Sequence, residues 1–576
     1  MKSLLSIFAA TLFFANLATA QYYEEYFNNA ATPRTEQFYD GQFSTANPTT
    51  NNLPTVVATG FYQGNVTGAA SRDRVRVTNT DLGGTPLFNN AYQVTINNVE
   101  VNSYGYSQAE VKGMYVVVGT LRDANLTIGG ADVLIMQVKP GSGVLLANPI
   151  KVDMDKLSDV AYAVIASATP NIFYICGENL NTAGIATSFI MKYDAAANAV
   201  QWVRRFDFST ATATAPSSLY GLCETSNGSV VACGKLTPTA GNTDGLIIKT
   251  DALGGALVYK SYNKYTYEEF RSIRNSVGKG PFTISGNCKT SSNDPNSVLL
   301  LWMNTTWGIF GYTLSTAYDT DYCYDAIERK NTAGQFEYFT AGKTKTTGLA
   351  ANFQGSVFKF NASTTTLTNY LYGETRDDNF YAIDALNTGS ASSDGISMFG
   401  QFFRNVNNSW ITKAYFNGLT APNCIVKSPT TLKVAIDFPI KTWQIAPKIN
   451  FSSIKVSATP VAHQHWFLCT GNNVLGSNAL INDNDDNKSV SLVEGISLYP
   501  NPMGGSNELN ISFEHQQEGN VNIELYDSNG RLMQRNLIIA YNGDNQTTFD
   551  MSAYPQGAYY IRLISKEINM GRKIIR

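Results

Sequence analysis

The sequence contains few charged residues and very little histidine. Only 15% of its 576 residues are charged and 3 are histidine, whereas charged residues make up about 25% of a typical soluble domain. Lysine and arginine total 42 against 45 acidic residues, so the formal net charge is −3. Without a basic excess to neutralise phosphates, we expect no nucleic-acid partner. After residue 20, no apolar run approaches the roughly 18 residues of a membrane span, and we expect no transmembrane segment.

Cysteine is also scarce, with 7 residues in the chain. An odd number excludes complete internal pairing, and the spacings match no zinc framework. Cys223 and Cys233 flank a turn-forming segment at residues 225–229, which places them on adjacent strands and allows a disulfide between them. The alternative is that the cysteines are small buried hydrophobic residues.

The abundant residues indicate a β-rich, exported protein. The chain contains 32 tyrosines and 30 phenylalanines, together with much Asn, Thr, Ser and Gly. Residues 1–20 have the features of a signal peptide, because a positive start and an apolar stretch precede small residues at Ala18 and Ala20. We therefore predict cleavage between Ala20 and Gln21, and export into and through the periplasm.

A short apolar run that ends in glycine recurs along the middle of the chain. Successive glycines lie 59, 58, 57, 52, 56, 58 and 71 residues apart. Further apolar strands and tight turns around each run bring every repeat to four short strands. The glycine suits a crowded position at which two backbones approach closely or turn sharply. The eight repeat glycines are Gly60, Gly119, Gly177, Gly234, Gly286, Gly342, Gly400 and Gly471.

Four-stranded repeats of this length predict the blades of a β-propeller. The expected fold class is therefore all-β, with the propeller over residues 54–481. We expect seven blades in a ring closed by strands from both ends, and residues 21–53 are an N-terminal segment available for that closure. Eight blades, the last completed by the N-terminal segment, are the alternative. The repeats resemble the divergent β-propeller repeats of exported bacterial proteins, a resemblance that implies a fold and no activity.

A polar, acidic linker over residues 482–491 precedes a different pattern over residues 492–576. Ile523 and Leu525 alternate with polar residues there, which is the period of a half-buried strand. Asn-Gly at residues 529–530 is a hairpin turn signal. The length and the number of strands predict a small antiparallel β-sandwich at the C-terminus.

The motifs of this C-terminal segment resemble the type A sorting domain of the type IX secretion system of Bacteroidetes. The resemblance implies that the outer-membrane translocon recognises the domain and that a sortase-like peptidase can remove it. The protein is then secreted or attached to the outer-membrane surface through lipopolysaccharide. An ordinary carbohydrate-binding sandwich is the alternative interpretation. The residues that carry the sorting signal are Tyr499, Pro500, Asn501, Pro502, Tyr526, Asp527, Gly530, Arg531, Gly557, Tyr559 and Lys573.

Motifs for cofactors and for common catalytic sites are missing, and we expect no cofactor and no metal. His463 and His465 could place two imidazoles on one face of a strand, but no third histidine lies nearby in the sequence. A glycosidase or lyase needs only paired carboxylates. Candidates that lie among aromatic residues are Asp319, Asp321, Asp325, Asp377 and Asp378. Solvated loops and turns are the alternative interpretation of these five positions.

Three functions remain open for the repeats. Scarce histidine, the lack of a catalytic motif and the loose repeat pattern favour a surface or secreted binding module for a glycan or a protein. An extracellular polysaccharide hydrolase or lyase would need two carboxylates about 5 to 9 Å apart at the mouth of a central funnel. A purely structural envelope component would bind no ligand. We favour binding over catalysis, although a fold alone does not determine function.

Overall fold

A computed structural model describes residues 23–28, 35–45, 54–416, 431–441, 452–470, 496–499 and 507–576, with short gaps inside these ranges. The described regular structure consists of β-strands, which confirms the predicted all-β class. None of the described residues belongs to a helix with the length and apolar character that a membrane crossing needs. The chain forms two compact units, a larger one over Gln21–Thr470 and a C-terminal one whose described residues begin at Ile496.

The larger unit contains antiparallel repeats of four strands each. Within each of repeats 1 to 6, the four strands pair in the order in which they follow one another along the chain. The strands of repeats 1 to 3 are β2 (Glu36–Ser44), β3 (Thr55–Val66), β4 (Ala69–Thr80), β5 (Pro86–Ile96), β6 (Val99–Val111), β7 (Met114–Arg122), β8 (Ala131–Val138), β9 (Ile150–Val152), β10 (Asp159–Ala166), β11 (Ile172–Leu180), β12 (Ala186–Asp194) and β13 (Ala199–Phe206). The strands of repeats 4 to 6 are β14 (Ser217–Glu224), β15 (Val230–Thr239), β16 (Asn242–Thr250), β17 (Ala256–Tyr262), β18 (Tyr267–Asn275), β19 (Phe282–Lys289), β20 (Ser297–Met303), β21 (Ile309–Thr316), β22 (Thr320–Lys330), β23 (Phe336–Lys345), β24 (Phe353–Asn361) and β25 (Thr366–Tyr372).

Repeat 7 combines strands from both ends of the larger unit. Its strands are β26 (Asn379–Leu386), β27 (Gly395–Arg404), β28 (Val406–Ala414) and β1 (Tyr23–Asn28). The N-terminal strand β1 pairs antiparallel with β28 and takes the fourth position. Five more strands follow, and each pairs with the last strand of one repeat. In chain order, they pair with repeats 5, 4, 2, 1 and 7. They are β29 (Thr431–Asp437), β30 (Ile440–Lys441), β31 (Ser452–Ser453), β32 (Lys455–Pro460) and β33 (Gln464–Thr470).

The apolar run that ends at Gly471 adds no four-stranded repeat to those of the described residues. It coincides with β33, which pairs with β1 at the edge of repeat 7, while Gly471 itself lies outside the described residues. The first repeat begins at Glu36, ahead of the predicted boundary at residue 54. The described residues therefore contain seven four-stranded repeats, and strands from both ends of the unit meet in the seventh.

Each repeat buries both of its faces against neighbouring repeats. In β7, Val116 and Val118 belong to the core shared with repeat 3, whereas Val117 belongs to the core shared with repeat 1. Successive side chains of a strand point to opposite faces, so a strand buried on both faces must be apolar at every position. This explains the continuous apolar runs before the repeat glycines. Seven cores of this kind lie between successive repeats, and the last joins Phe399 of repeat 7 to Phe38 of repeat 1.

The described cysteines lie in these cores as free, buried thiols. Cys223 lies opposite Val231, because Glu224 already pairs with Val230 across a tight turn. Cys233 lies two residues further along β15, so the two cysteines are not directly opposite each other, and both are free thiols rather than the possible disulfide. The five free cysteines are Cys176, Cys223, Cys233, Cys288 and Cys323. They fill the cores as small hydrophobic residues.

The C-terminal unit consists of two antiparallel sheets that share one hydrophobic core. Its strands are β34 (Ile496–Tyr499), β35 (Glu508–His515), β36 (Gly519–Asp527), β37 (Leu532–Ala540), β38 (Gly543–Asp550), β39 (Ala558–Ile564) and β40 (Asn569–Ile575). One sheet has the order β34-β35-β38 and the other the order β37-β36-β39-β40. Leu509 and Phe549 from the first sheet pack with Ile523 and Ile561 from the second. This is the small antiparallel sandwich that the sequence predicts.

Candidate functional site

The first strand of each repeat contains one extra residue, a β-bulge. In β2, Phe38 pairs with Gly60 and Asp40 pairs with Thr59, which leaves Tyr39 without a partner residue in β3. A bulge bends the strand and changes the direction of the extra side chain. The extra residues of the seven repeats are Tyr39, Tyr106, Tyr162, Tyr220, Arg271, Tyr324 and Tyr381.

The repeat glycines are required by these bulges. A Cβ atom on Gly60 would lie 1.8 Å from the carbonyl oxygen of Gln37, and one on Gly342 would lie 1.7 Å from that of Tyr322. In both repeats the carbonyl belongs to the residue two positions before the bulge residue. All seven repeat glycines of the described chain have such a contact, at 1.7 to 2.0 Å. The close backbone approach that we expected from the sequence is therefore present at each of them.

The seven bulge residues contact one another in a closed cycle, which we call the Tyr/Arg ring. Five pairs of neighbouring tyrosines have ring centroids 4.9 to 5.9 Å apart. Arg271 completes the cycle, because its guanidinium carbon lies 4.2 Å from the ring centroid of Tyr220 and 5.7 Å from that of Tyr324. An ion pair at 2.9 Å between Arg271 and Glu269 raises the pKa of this guanidinium, although burial opposes the shift. The seven first strands thus bring seven side chains to one place.

The Tyr/Arg ring lines a cavity of about 510 Å³. The wall continues along the residues that follow the ring, including Asp40, Ser107 and Asp325. The lining strands therefore precede the glycine-bearing strands in each repeat. All seven ring residues are half-buried. Burial raises the pKa of the six tyrosines above its ordinary value of about 10, so their hydroxyls stay protonated further into the alkaline range.

Asp325 connects three repeats at the cavity wall. Its carboxylate accepts a hydrogen bond from the Ser272 hydroxyl at 2.6 Å and pairs with Arg274 at 2.6 Å, both in repeat 5. It also accepts a bond from the backbone N–H of Ile383 in repeat 7, at 3.2 Å. Every one of these contacts is a donor to the carboxylate. Asp325 is therefore a structural acceptor as well as part of the cavity wall.

Two further carboxylates of the wall are also bound by a neighbouring repeat. Asp40 accepts hydrogen bonds from the Ser107 hydroxyl and from the backbone N–H of Gln108, both at 2.8 Å. Burial raises the pKa of Asp40 to about 6, although these two bonds oppose the shift. Asp384 accepts a bond from the backbone N–H of Phe43 at 2.8 Å, and burial raises the pKa of its carboxyl as well.

Of the five aspartates that the sequence suggested, Asp325 lines the cavity. Asp321 and Asp378 are buried and hydrogen-bonded, the first to a threonine hydroxyl and the second to a backbone N–H. Asp377 is exposed. Asp319 lies outside the described residues. The expectation of solvated positions is therefore wrong for the three buried aspartates.

Other predicted positions fall where the structure gives no side chains. Ala18, Ala20, Gln21 and His463 lie outside the described residues. His465 lies in β33, opposite Phe27 in the strand ladder, and its side chain is likewise outside the described part of the chain. The signal-peptide cleavage site and the histidine pair therefore stay predictions.

The motifs of the sequence do not single out five residues of the ring, namely Tyr39, Tyr106, Tyr162, Tyr220 and Arg271. The sequence does contain a signal for these positions, since each ring residue lies 13 to 21 residues before its repeat glycine. Each is also followed by Asp, Ser, Ala or Gly. The variable distance hides the position when the repeats are aligned on the glycine.

A separate acidic group lies in repeats 2 and 3. Asp132, Asp153 and Asp159 each place one oxygen within 4.8 Å of the others. Lys151 Nζ lies 2.5 Å from Asp132, and Asp159 accepts a bond from the backbone N–H of Met154 at 2.7 Å. Burial raises the pKa of Asp159 to about 7. Protein donors thus already bind Asp132 and Asp159.

Glu268 is expected to lower the stability of the larger unit as the pH rises. Its side chain is buried, and burial raises its pKa to about 8, although the backbone N–H groups of Tyr265 and Lys264 donate to it. The folded chain therefore binds this proton more tightly than the unfolded chain, where the pKa is about 4.3. The stabilising contribution is complete below about pH 4 and is lost as the pH rises through about 8.

The Glu268→Gln variant tests this assignment, because its amide stays uncharged. We expect its free energy of unfolding, relative to the native chain, to increase by about 3 kcal/mol or more between pH 5 and pH 9. Denaturant titrations at both pH values measure the difference. Asp251→Asn, which removes a charge from a turn between β16 and β17, serves as the control and should show no such increase. Parallel pH profiles for Glu268→Gln and the native chain would contradict the prediction.

The sorting residues that the structure describes lie in strands of the C-terminal unit or directly beside them. Tyr526 and Asp527 end β36, and the hydroxyl of Tyr559 donates to a backbone carbonyl at 2.8 Å. Gly557 exchanges two backbone hydrogen bonds with Arg576, both at 2.9 Å, which fixes the last residue of the chain. Tyr499 and Lys573 lie in β34 and β40. The sorting residues outside the described part are Pro500, Asn501, Pro502, Gly530 and Arg531.

Comparison with known proteins gives one result for this unit. No curated protein matches the chain. Residues 497–576 match the family model described as the secretion system C-terminal sorting domain, Por_Secre_tail. The match confirms the resemblance seen in the sequence motifs and indicates export to the cell surface or secretion by the type IX system. The C-terminal sandwich of this chain is therefore a type IX sorting domain.

Proposed function

We propose that this protein is an exported glycan-binding module built as a seven-bladed β-propeller, with the Tyr/Arg ring at its centre. Two cycles of contacts support the propeller. The hydrophobic cores run from repeat to repeat and return from repeat 7 to repeat 1. The ring residues contact one another in the same order. Radial repetition of four-stranded blades produces both cycles and surrounds a central channel.

The Tyr/Arg ring is the observation that carries the binding function. A tyrosine side chain offers a flat apolar face and a polar hydroxyl, and a sugar ring likewise has apolar C–H groups and hydroxyls. The cavity of about 510 Å³ falls within the range of about 300 to 1,000 Å³ that is typical of small-ligand sites. A folded protein partner would instead need a broad surface of about 800 Å². The site therefore suits one or a few sugar units of a glycan.

A polysaccharide hydrolase or lyase is the second candidate, and Asp40 is the observation that favours it. Burial raises the pKa of this carboxyl to about 6, a value suited to general acid catalysis near neutral pH. However, Asp40 and Asp325 accept hydrogen bonds from the adjacent repeats. These bonds explain the burial of the carboxylates without a catalytic role, and binding is the better supported function.

The test is a joint binding and depolymerisation screen of the full chain on a panel of polysaccharides. We expect retention on at least one polymer without new reducing or unsaturated ends. Tyr162→Ala removes a ring residue and should weaken that retention at least about tenfold, whereas Tyr560→Ala in the C-terminal unit should leave it unchanged. New ends that disappear in Asp40→Asn would establish the enzyme instead. Failure to bind any polymer would overturn the glycan-binding proposal.

The C-terminal unit serves export in this proposal, and a sortase-like peptidase then removes it. Two observations support this role. The sorting unit is compact by itself, and the sequence before it at residues 482–491 is polar and acidic. The cavity and its Tyr/Arg ring belong to the larger unit, so removal of the sorting domain leaves the binding residues in place.

A further inference from the structure

The cavity of the larger unit extends to one side of the Tyr/Arg ring. Each first strand contributes its ring residue and between one and four of the residues that follow it. Among the described residues of these seven strands, none that precedes a ring residue lines the cavity. The ring members also contact one another around the whole cycle. The ring therefore forms the floor of the cavity.

Residues that precede the ring support this floor from the side away from the cavity. Tyr104 lies two positions before the ring residue Tyr106, and the two side chains stack with ring centroids 6.2 Å apart and planes 5° from parallel. Glu269 lies two positions before Arg271, and its buried carboxylate pairs with the guanidinium at 2.9 Å. Aromatic pairs at such distances and charge-assisted hydrogen bonds both hold side chains in fixed positions. The floor is therefore fixed by the protein's own contacts.

The cavity opens at the first turns of the repeats. The lining residue Arg274 has a side chain that is 41% exposed, and the neighbouring turn residues Thr45, Ala168 and Asn275 are exposed. The wall is continuous, because a hydrophobic core fills the space between every two successive repeats. A ligand therefore enters from the turns and advances toward the ring.

We infer that this cavity binds the end of a glycan chain and excludes sugar units from the middle of the chain. The inference rests on the proposed glycan binding and specifies which part of the glycan is recognised. A sugar in the middle of a linear chain has a linked neighbour on both sides, whereas a cavity with a floor and a continuous wall has one exit. A terminal sugar has one linked neighbour. It can therefore lie on the Tyr/Arg ring while the rest of the chain leaves through the mouth.

Calorimetric titration of the full chain with intact and fragmented polymers tests the inference. The probes are the polysaccharides amylose, alginate, polygalacturonate and xylan, each used intact and after partial acid hydrolysis. Hydrolysis that shortens the chains about tenfold multiplies their ends at constant mass, so the half-saturating mass concentration of a bound polymer should fall about tenfold. Tyr162→Ala, which alters the floor, should weaken binding of the hydrolysate at least about tenfold. Tyr560→Ala in the C-terminal unit is the control and should leave this binding unchanged.

Each failure gives a different result. A half-saturating mass concentration that hydrolysis leaves unchanged, with binding lost in Tyr162→Ala, would overturn the chain-end inference and leave glycan binding in the cavity intact. Sites in the middle of a chain are not multiplied by cutting it, which explains that outcome. A fall on hydrolysis that is the same in Tyr162→Ala would place the chain-end site outside this cavity and overturn the inference. No binding of any of the polymers or their hydrolysates would overturn both proposals.

Discussion

The Gly342→Ala variant is expected to lose about 3 kcal/mol or more of its free energy of unfolding. The added Cβ would lie 1.7 Å from the carbonyl oxygen of Tyr322 and 2.7 Å from its carbon. A side chain can rotate away from an added methyl group, but a backbone carbonyl within a strand ladder cannot. Strands β22 and β23 must therefore separate at the bulge, which also displaces the ring residue Tyr324 two positions later. Denaturant unfolding monitored by tryptophan fluorescence measures the loss.

Gly519→Ala is the matched control for this substitution. Gly519 begins a strand of the C-terminal unit, and the nearest atom to an added Cβ is in His515 at 3.6 Å, an ordinary contact distance. We expect a change of less than about 1 kcal/mol there. Similar losses in the two variants would mean that the cost comes from replacing any strand glycine. The close approach of the carbonyl at the bulge would then not be its cause.

The repeat glycines could be predicted from the sequence, whereas the Tyr/Arg ring could not. Backbone crowding permits only glycine, so the same residue type recurs in every repeat. A ring position permits any side chain that can contact its neighbours, and Arg271 stands where the other repeats have tyrosine. The chain has 32 tyrosines, and the distance between a ring tyrosine and its repeat glycine varies with the length of the first turn of the repeat. The six ring tyrosines therefore form no visible pattern in the sequence. Only the strand pairing shows that all seven occupy bulges.

The pairing partners of the strands also could not be predicted from the sequence. The run that ends at Gly471 has the composition of a glycine-bearing strand, and its residues do form the strand β33. Its partner, however, is β1, more than four hundred residues earlier in the chain. An apolar pattern specifies a buried strand but not the strand beside it. The same limitation applies to Cys223 and Cys233, because their relative position depends on a register set by the turn between them.

Asp325→Ala is expected to be the second strongly destabilising substitution, with a loss of about 2 kcal/mol or more, because several hydrogen-bond donors lose their acceptor. The change leaves the guanidinium of Arg274 without its closest carboxylate and the N–H of Ile383 without its acceptor. It also disconnects repeat 6 from both of its neighbours at the cavity wall. Asn should not restore stability, because its amide nitrogen would face donors only. Thermal and denaturant unfolding of the three proteins measure these effects.

Asp377→Ala provides the comparison, because both aspartates lie among aromatic residues in the sequence. Asp377 is exposed and accepts one hydrogen bond, from the backbone N–H of Phe353 at 3.0 Å. Its removal should cost less than about 1 kcal/mol. The difference between the two expected losses of stability arises from the bulge. Asp325 directly follows the ring residue Tyr324 and therefore lies at the cavity wall beside the adjacent repeats. Equal and small effects of the two substitutions would show that Asp325 does not hold the repeats together. Its carboxylate would then be available to a bound sugar, and the hydrolase would become the stronger candidate.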